Sequence, residues 1–215
     1  MEEALFLQNI RSALSRYSTE EEGKVLSLPL SPAKAVPELP LEERIKRFSL
    51  EVAGLHRVQL FRVTDWEAAR KKLAQLLEER GFASAAVTGK DLNPTDSFWK
   101  KWGPAQGLAA IEKSEAGVIQ ADYGLAETGS VVLIASPEKP RIISLLPPIC
   151  YFVLPVSAML DSMGQLMVEL EDRHGRGEMP STVNVVTGPS RTADIELSLT
   201  VGVHGPGEVH VILVG

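Results

Sequence analysis

Apolar positions along the chain switch between helical and strand spacing, and the order of those patterns predicts the elements. Ala4, Leu7, Ile10 and Leu14 recur at helical spacing and predict a short amphipathic helix over Met1–Arg16. Pro29, Pro32, Pro37 and Pro40 then remove backbone donors and block a regular helix, so Ser18–Pro40 reads as a linker or an extended wrap. Leu41, Ile45, Phe48, Val52 and Leu55 resume the helical pattern over Leu41–Leu55, and His56–Val63 reads as a strand. Thr64-Asp65-Trp66-Glu67 has the form of a capping box, in which the Thr hydroxyl and the Glu carboxylate satisfy reciprocal backbone donors. The helix it opens carries Trp66, Ala69, Leu73, Leu76 and Leu77 as an apolar stripe and stops at Gly81. Ser84–Thr88 is small and apolar, as a buried parallel strand is, which completes a strand–helix–strand unit.

The second half continues with shorter connections. Gly117–Gln120, Gly124–Glu127 and Ser130–Ala135 read as strands, partly hairpin-linked, and Ile149–Leu154 as another. Ser157 is placed to cap a helix through Glu171, with Met159, Met163, Leu166, Met167 and Leu170 inward, broken by Gly175 and Gly177. Thr182–Val186 and Glu208–Val214 are the last strands. The sum is an α/β fold with a mainly parallel central sheet and helices on both faces. Residues 1–40 form a helix and proline-rich arm, and residues 41–215 the main domain.

Composition narrows the function classes. The formal charge is −6, and the 22 Lys and Arg form no dense run, so a phosphate-backbone binder of nucleic acid is not expected. Cys150 is the single cysteine, which excludes an internal disulfide, a CxxC pair, a four-cysteine iron–sulfur site and a cysteine zinc finger. The most apolar stretch, Arg141–Val156, is interrupted by Pro147, Pro148 and Pro155, so no membrane span is expected and the cytoplasm is the expected location. GxGxxG, GxxxxGK[ST] and GxSxG are absent. His204 and His210 are six residues apart, ~20 Å along a strand, and no metal site is expected. Cys150, Trp66 and Met163 read as core residues, and Trp99 and Trp102 as the packing of an exposed helix.

Three polar stretches depart from plain core. In Ala121–Leu133, Glu127, Thr128 and Gly129 interrupt two strand-like runs; they suit a ligand contact at a strand's carboxyl end or a hairpin turn. In Thr187–Glu196, a turn at Gly188-Pro189 presents Ser190, Arg191 and Thr192, with Asp194 and Glu196 following. The guanidinium there fits a carboxylate or phosphate, and the anion pocket is favoured over an internal Arg–Asp bridge. In Gly202–Val214, His204 stands before the tight Gly205-Pro206-Gly207 loop, placed either for proton transfer or for holding a loop carbonyl.

The strings ADYGLAETGSVVL, RIISLLPP, TGPSRTADIE and GVHGPGEVHVILV, in this order, resemble the LUD-domain family. The resemblance runs from Ala121 to Gly215. It implies a three-layer, Rossmann-like α/β sheet similar to the ribose-phosphate isomerase and CoA-transferase group. It also implies a role in oxidising L-lactate to pyruvate as one component of a multi-protein system. Iron–sulfur clusters are then expected on partner subunits, with no cofactor intrinsic to this chain and a small 2-hydroxy or 2-keto acid as ligand. Carried residue by residue, it marks Glu127, Thr128 and Gly129; Arg141; Gly188, Ser190, Arg191, Thr192, Asp194 and Glu196; and His204 and Gly205. In that picture Arg191 binds a carboxylate, Glu127 or His204 handles a proton, and Ser190 and Thr192 supply hydrogen bonds. Gly207 departs from the pattern, which has arginine there in many relatives. Two alternatives stand beside it: a self-sufficient isomerase- or CoA-transferase-like enzyme acting through Glu127, and a structural or regulatory partner docking through the N-terminal arm.

Overall fold

The computed structural model describes residues 38–103, 108–174, 180–192 and 200–215. The expected helix over Met1–Arg16, most of the proline arm, and Gly175 and Gly177 lie outside them. In chain order the elements are α1 (Leu41–Ala53), β1 (Val58–Val63), α2 (Trp66–Glu79), β2 (Ala85–Thr88), a 3-10 segment Ser97–Trp102 and the short α3 (Leu108–Glu112). Then follow β3 (Ala116–Gln120), β4 (Tyr123–Leu125), β5 (Ser130–Ile134), a 3-10 turn Arg141–Ser144 and β6 (Ile149–Pro155). The chain ends with β7 (Met159–Leu160), α4 (Met163–His174), β8 (Val183–Val186), β9 (Arg191–Thr192), β10 (Thr200–Val201) and β11 (Glu208–Val214).

The central sheet has five parallel strands in the order β1-β11-β6-β3-β2. β2 and β6 are apolar without alternation because both of their faces are covered. From β2 onward the chain steps one strand at a time, to β3, β6 and β11, whereas β1 to β2 jumps from one edge to the other. Right-handed crossovers then send α2 to one face and the later connections to the other. Accordingly Leu73 and Leu77 of α2 pack with Val118, Val153 and Ile212. On the opposite face Phe48 and Val52 of α1, with Val131 and Leu133 of β5, pack against Ile119, Phe152 and Val211. A second sheet, ordered β7-β4-β5-β8, thus forms part of that layer, where helices were expected.

Five local expectations are corrected. β1 and β2 occupy opposite edges, so the anticipated strand–helix–strand unit does not pair its own strands. The cap of α2 is Asp65, whose carboxylate accepts from the Ala68 amide at 2.8 Å and from Thr64 Oγ1 at 2.9 Å. Those bonds hold the Asp65 carboxyl below its usual range, and Glu67 pairs with Lys71 instead. Trp99 and Trp102 are core residues, because Ser97–Trp102 folds over the β2 edge beside α2. Trp99 is 0% exposed, and its indole N–H reaches the Leu92 carbonyl at 2.9 Å. The helix expected from Ser157 begins only at Met163, since Val156–Leu160 is a 3-10 turn followed by β7. Met159 is buried on that strand, whereas Met163 and Met167 are 40% and 55% exposed, leaving Leu166 and Leu170 inward. Cys150 is buried as expected, and burial pushes its thiol up to about 12.

Where β11 begins, a polar group enters the α2 face. Glu208 accepts from Arg80 at 2.6 Å, and His210 Nε2 lies 3.5 Å from the same carboxylate. The imidazole is 3% exposed, with its centroid 5.1 Å from that of Tyr151. Burial pushes its pKa below the ordinary 6.5, against the opposing pull of Glu208. The Arg80 hydrogen bond likewise holds Glu208 below 4.5. In both cases the unfolded chain takes up the proton first, so the stability these groups supply at neutral pH is lost as the pH falls.

Replacing Trp99 with Ala is expected to cost about 3–5 kcal/mol of unfolding free energy, as for a buried aromatic, rather than the ~0.5 kcal/mol of a surface site; urea unfolding measures it. The urea midpoint is expected to decline between about pH 7 and about pH 5, and His210→Phe to flatten that decline. An equally steep decline in the variant places the proton uptake elsewhere.

Candidate functional site

The three polar stretches meet around the last turn of α1 and the amino ends of β1, β6 and β11. Thr128 and Gly129 form the turn of the β4–β5 hairpin, with the Gly129 amide donating to Leu125 O at 3.0 Å. The hairpin turn, one of the two readings of this stretch, is present. Gly129 has φ +64°, and a Cβ there would lie 2.9 Å from the Val52 amide nitrogen. Only a residue without a side chain lets the α1 backbone rest on this turn.

From that turn the hydroxyls run in series. Thr128 Oγ1 lies 2.7 Å from Ser130 Oγ, which lies 2.6 Å from Thr187 Oγ1. Thr187 leads into Gly188, whose φ of +78° turns the chain beside Leu55 and Val58. The Ser190 amide donates to Pro206 O and its carbonyl accepts from the Gly202 amide, both at 2.9 Å. Ser190 therefore holds both ends of the loop carrying His204. A Cβ at Gly205 would stand 3.2 Å from that of Ser190, so the missing side chain allows the close approach. The Gly207 and Glu208 amides both point at Pro148 O, at 2.9 and 3.4 Å, which ties this loop to the double proline before β6.

Arg191 and Thr192 form β9, paired antiparallel with Val201 and Thr200 of β10. Arg191 is exposed, Thr192 half-buried, and His204 exposed in the neighbouring loop. A guanidinium, two hydroxyl residues and an imidazole thus share one ribbon and its loop, a donor set suited to an oxyanion. Asp194 and Glu196 lie outside the described residues.

Glu127 and Arg141 are placed differently. Glu127 Oε1 accepts from the Met163 amide at 2.6 Å, and its own amide donates to Asp161 O at 3.0 Å. The carboxylate satisfies an otherwise unpaired donor at the start of α4 and complements that helix's dipole. Arg141 stands at the other end of β5, beside Ala135 and Thr182, which are joined by a 3.0 Å backbone bond. Five residues of strand, ~17 Å, separate that end from Ser130 and Thr187. Thr128 and Gly129 sit beside the amino ends of the central strands rather than their carboxyl ends.

Sequence reasoning missed Ser130, Thr187 and the Pro148 carbonyl, which join the stretches to one another. Their only signal is adjacency to the motif residues. His204 is exposed and His210 buried in the α2 layer. Among the described residues no group of three His, Cys, Asp or Glu is placed to hold a metal ion. No described helix is long and apolar enough to cross a membrane.

Known proteins resemble this chain in fold and sequence. A crystal structure of a DUF162 family protein from Deinococcus radiodurans superposes with a TM-score of 0.55 at 19% identity, covering 82% of this chain and 99% of that one. YkgG, an uncharacterized protein of Escherichia coli K12, is 33% identical over 215 residues, 94% of this chain and 93% of its own. Lactate utilization protein C of Halalkalibacterium halodurans is 43% identical over 109 residues, 49% of this chain and 47% of its own. Its namesake in Shouchella clausii is 37% identical over 137 residues, 64% and 60% of the two chains. The match thus spans about half to three fifths of these two lactate utilization proteins. The model of the LUD domain spans residues 45–214, from α1 through β11. With four fifths of its length inside that match, the chain belongs to the LUD domain family.

Proposed function

We propose that this chain serves lactate utilization in the cytoplasm, as the subunit without iron–sulfur clusters in a multi-protein system that oxidises L-lactate to pyruvate. The named relatives support the pathway. The single cysteine supports the division of labour, because Cys150 is buried and its thiol is pushed up to about 12, so electron carriers belong on partner subunits. On this reading the parallel sheet is a variant of the ribose-phosphate isomerase and CoA-transferase architecture.

The observation that carries the site is the convergence of the family's motif stretches on the β9–β10 ribbon. Arg191 holds the carboxylate of a 2-hydroxy or 2-keto acid in two parallel N–H···O bonds. Ser190 and Thr192 add hydroxyl contacts, and His204 is the group placed to move a proton. Glu127 is the weaker candidate for that role, since one of its carboxylate oxygens is held by the Met163 amide. The same bond counts against the alternative in which Glu127 accepts an acyl group, because attack would release the first turn of α4.

The test is lactate-dependent reduction of an artificial electron acceptor by this chain together with the iron–sulfur proteins that co-purify with it. Omitting the chain is expected to abolish the reaction, and Arg191→Gln to lower kcat/KM by about 100-fold with the complex intact. Full activity in the variant removes Arg191 from the site. Full activity without the chain removes it from the reaction.

A further inference from the structure

We propose that the groove in front of Arg141 is a second binding site, for an oxyanion ligand bearing a carboxylate or a phosphate. The groove is open, about 660 Å³ in volume, and lined by Ser136, Pro137, Pro140, Arg141, Ser181 and Thr182. That volume lies within the usual range of small-molecule sites, about 300–1,000 Å³. The site differs in place and composition from the Arg191 ribbon.

Position is the first argument. The turn Ser136–Lys139 lies at the carboxyl ends of β2 and β3, with Thr88 Oγ1, the last side chain of β2, donating to Glu138 O at 2.8 Å. Asp122, two residues past β3, accepts from the Ile134 amide at 2.6 Å and pairs with Lys139. Ligands of open α/β sheets sit outside these carboxyl ends. The loop leaving β2 is fitted closely there: a Cβ at Gly89 would lie 2.2 Å from that of Gln120, the last residue of β3.

Charge is the second. Lys139 is matched by Asp122, and the Glu138 carboxylate accepts from Ser136 Oγ at 3.0 Å in the same turn. Arg141 is exposed, and among the described residues no carboxylate lies within ion-pair distance of it. Among the described residues the groove therefore offers one guanidinium without a carboxylate at ion-pair distance, lined also by Ser181 and Thr182, with the Glu138 carboxylate held by Ser136 Oγ in the adjoining turn and exposed Lys90 following β2 on the same end of the sheet. A guanidinium fork with hydroxyls beside it matches the oxygens of a carboxylate or a phosphate. Behind it, a pocket of about 10 Å³ between Ile119, Leu133, Ile143 and Asn184 has room for about one water.

Calorimetric titration of the full chain with pyruvate and, separately, with inorganic phosphate tests the site without partner proteins, so it stands or falls apart from lactate oxidation. Measured in an Arg191→Gln background, which removes the ribbon site proposed above, saturable binding of at least one probe is expected, weakened about tenfold or more by adding Arg141→Gln and less by adding Arg141→Lys. The tighter probe identifies the oxyanion as carboxylate or phosphate. Unfolding midpoints equal to that of the parent chain show that the variants are folded. The proposal is overturned if in that background neither probe binds up to about 20 mM, or if adding Arg141→Gln leaves the binding unchanged.

Discussion

The arrangement of this molecule depends on how closely α1 lies against the second sheet. At its first turns Arg44 donates to Met159 O at 2.6 Å and lies 3.5 Å from the Asp161 carboxylate, fastening α1 to β7. At its last turn the backbone rests on Gly129, where any side chain would collide with Val52. Packing density in a protein interior leaves no slack for such a collision, so a methyl group there has to lift the helix or distort the hairpin. Either movement reaches the Thr128–Ser130–Thr187 hydroxyls, and through Gly188 the ribbon that carries Arg191. The glycine of the AETG string is therefore a packing device before it is anything chemical.

Those same contacts separate what the sequence reveals from what it conceals. α1, α2, β6 and β11 were legible because their apolar residues follow a single local period or form one unbroken run. The pairing of β1 with β11, which joins Val58 to Val209, leaves no local trace, and so β1 and β2 read as neighbours. Trp99 and Trp102 sit among charged residues in sequence, yet α2 and the β2 edge enclose them. Met163 and Met167 matched a helical stripe whose buried side is in fact supplied by Leu166 and Leu170. The motif strings located the candidate residues but not their partners. Nothing in the sequence around Glu127 shows its partner, because the Met163 amide comes 36 residues later.

The buried ionisable groups follow a related logic. His210 and Cys150 are the side chains a functional search finds first in a short inventory, and both are enclosed. Desolvation opposes the imidazolium at one and the thiolate at the other, so each is held in its neutral form at neutral pH. The exposed groups, Arg191, His204 and Arg141, are carried on a two-stranded ribbon and on loops. Loops on a rigid scaffold are where binding residues usually stand, because their side chains are not committed to packing.

The β5–β8 ladder sets how those exposed groups relate to one another. β5 runs from Ser130, beside the amino ends of the central strands, to Ile134, beside their carboxyl ends, and β8 is registered against it from Val186 to Val183. One hairpin layer thus separates Arg191 from Arg141 by the length of a strand, and no single small acid can bridge both guanidinium groups. A ligand that engaged both would have to be long enough to cross the ladder, or the second sheet would have to move. The sheet is held at its amino side by the hydroxyl series and at its carboxyl side by Asp122 and Lys139. With both ends fastened, rigid separation of the two guanidinium groups is the arrangement the bonding favours. Each then serves its own ligand, and any coupling between them has to pass through the strands of this one layer.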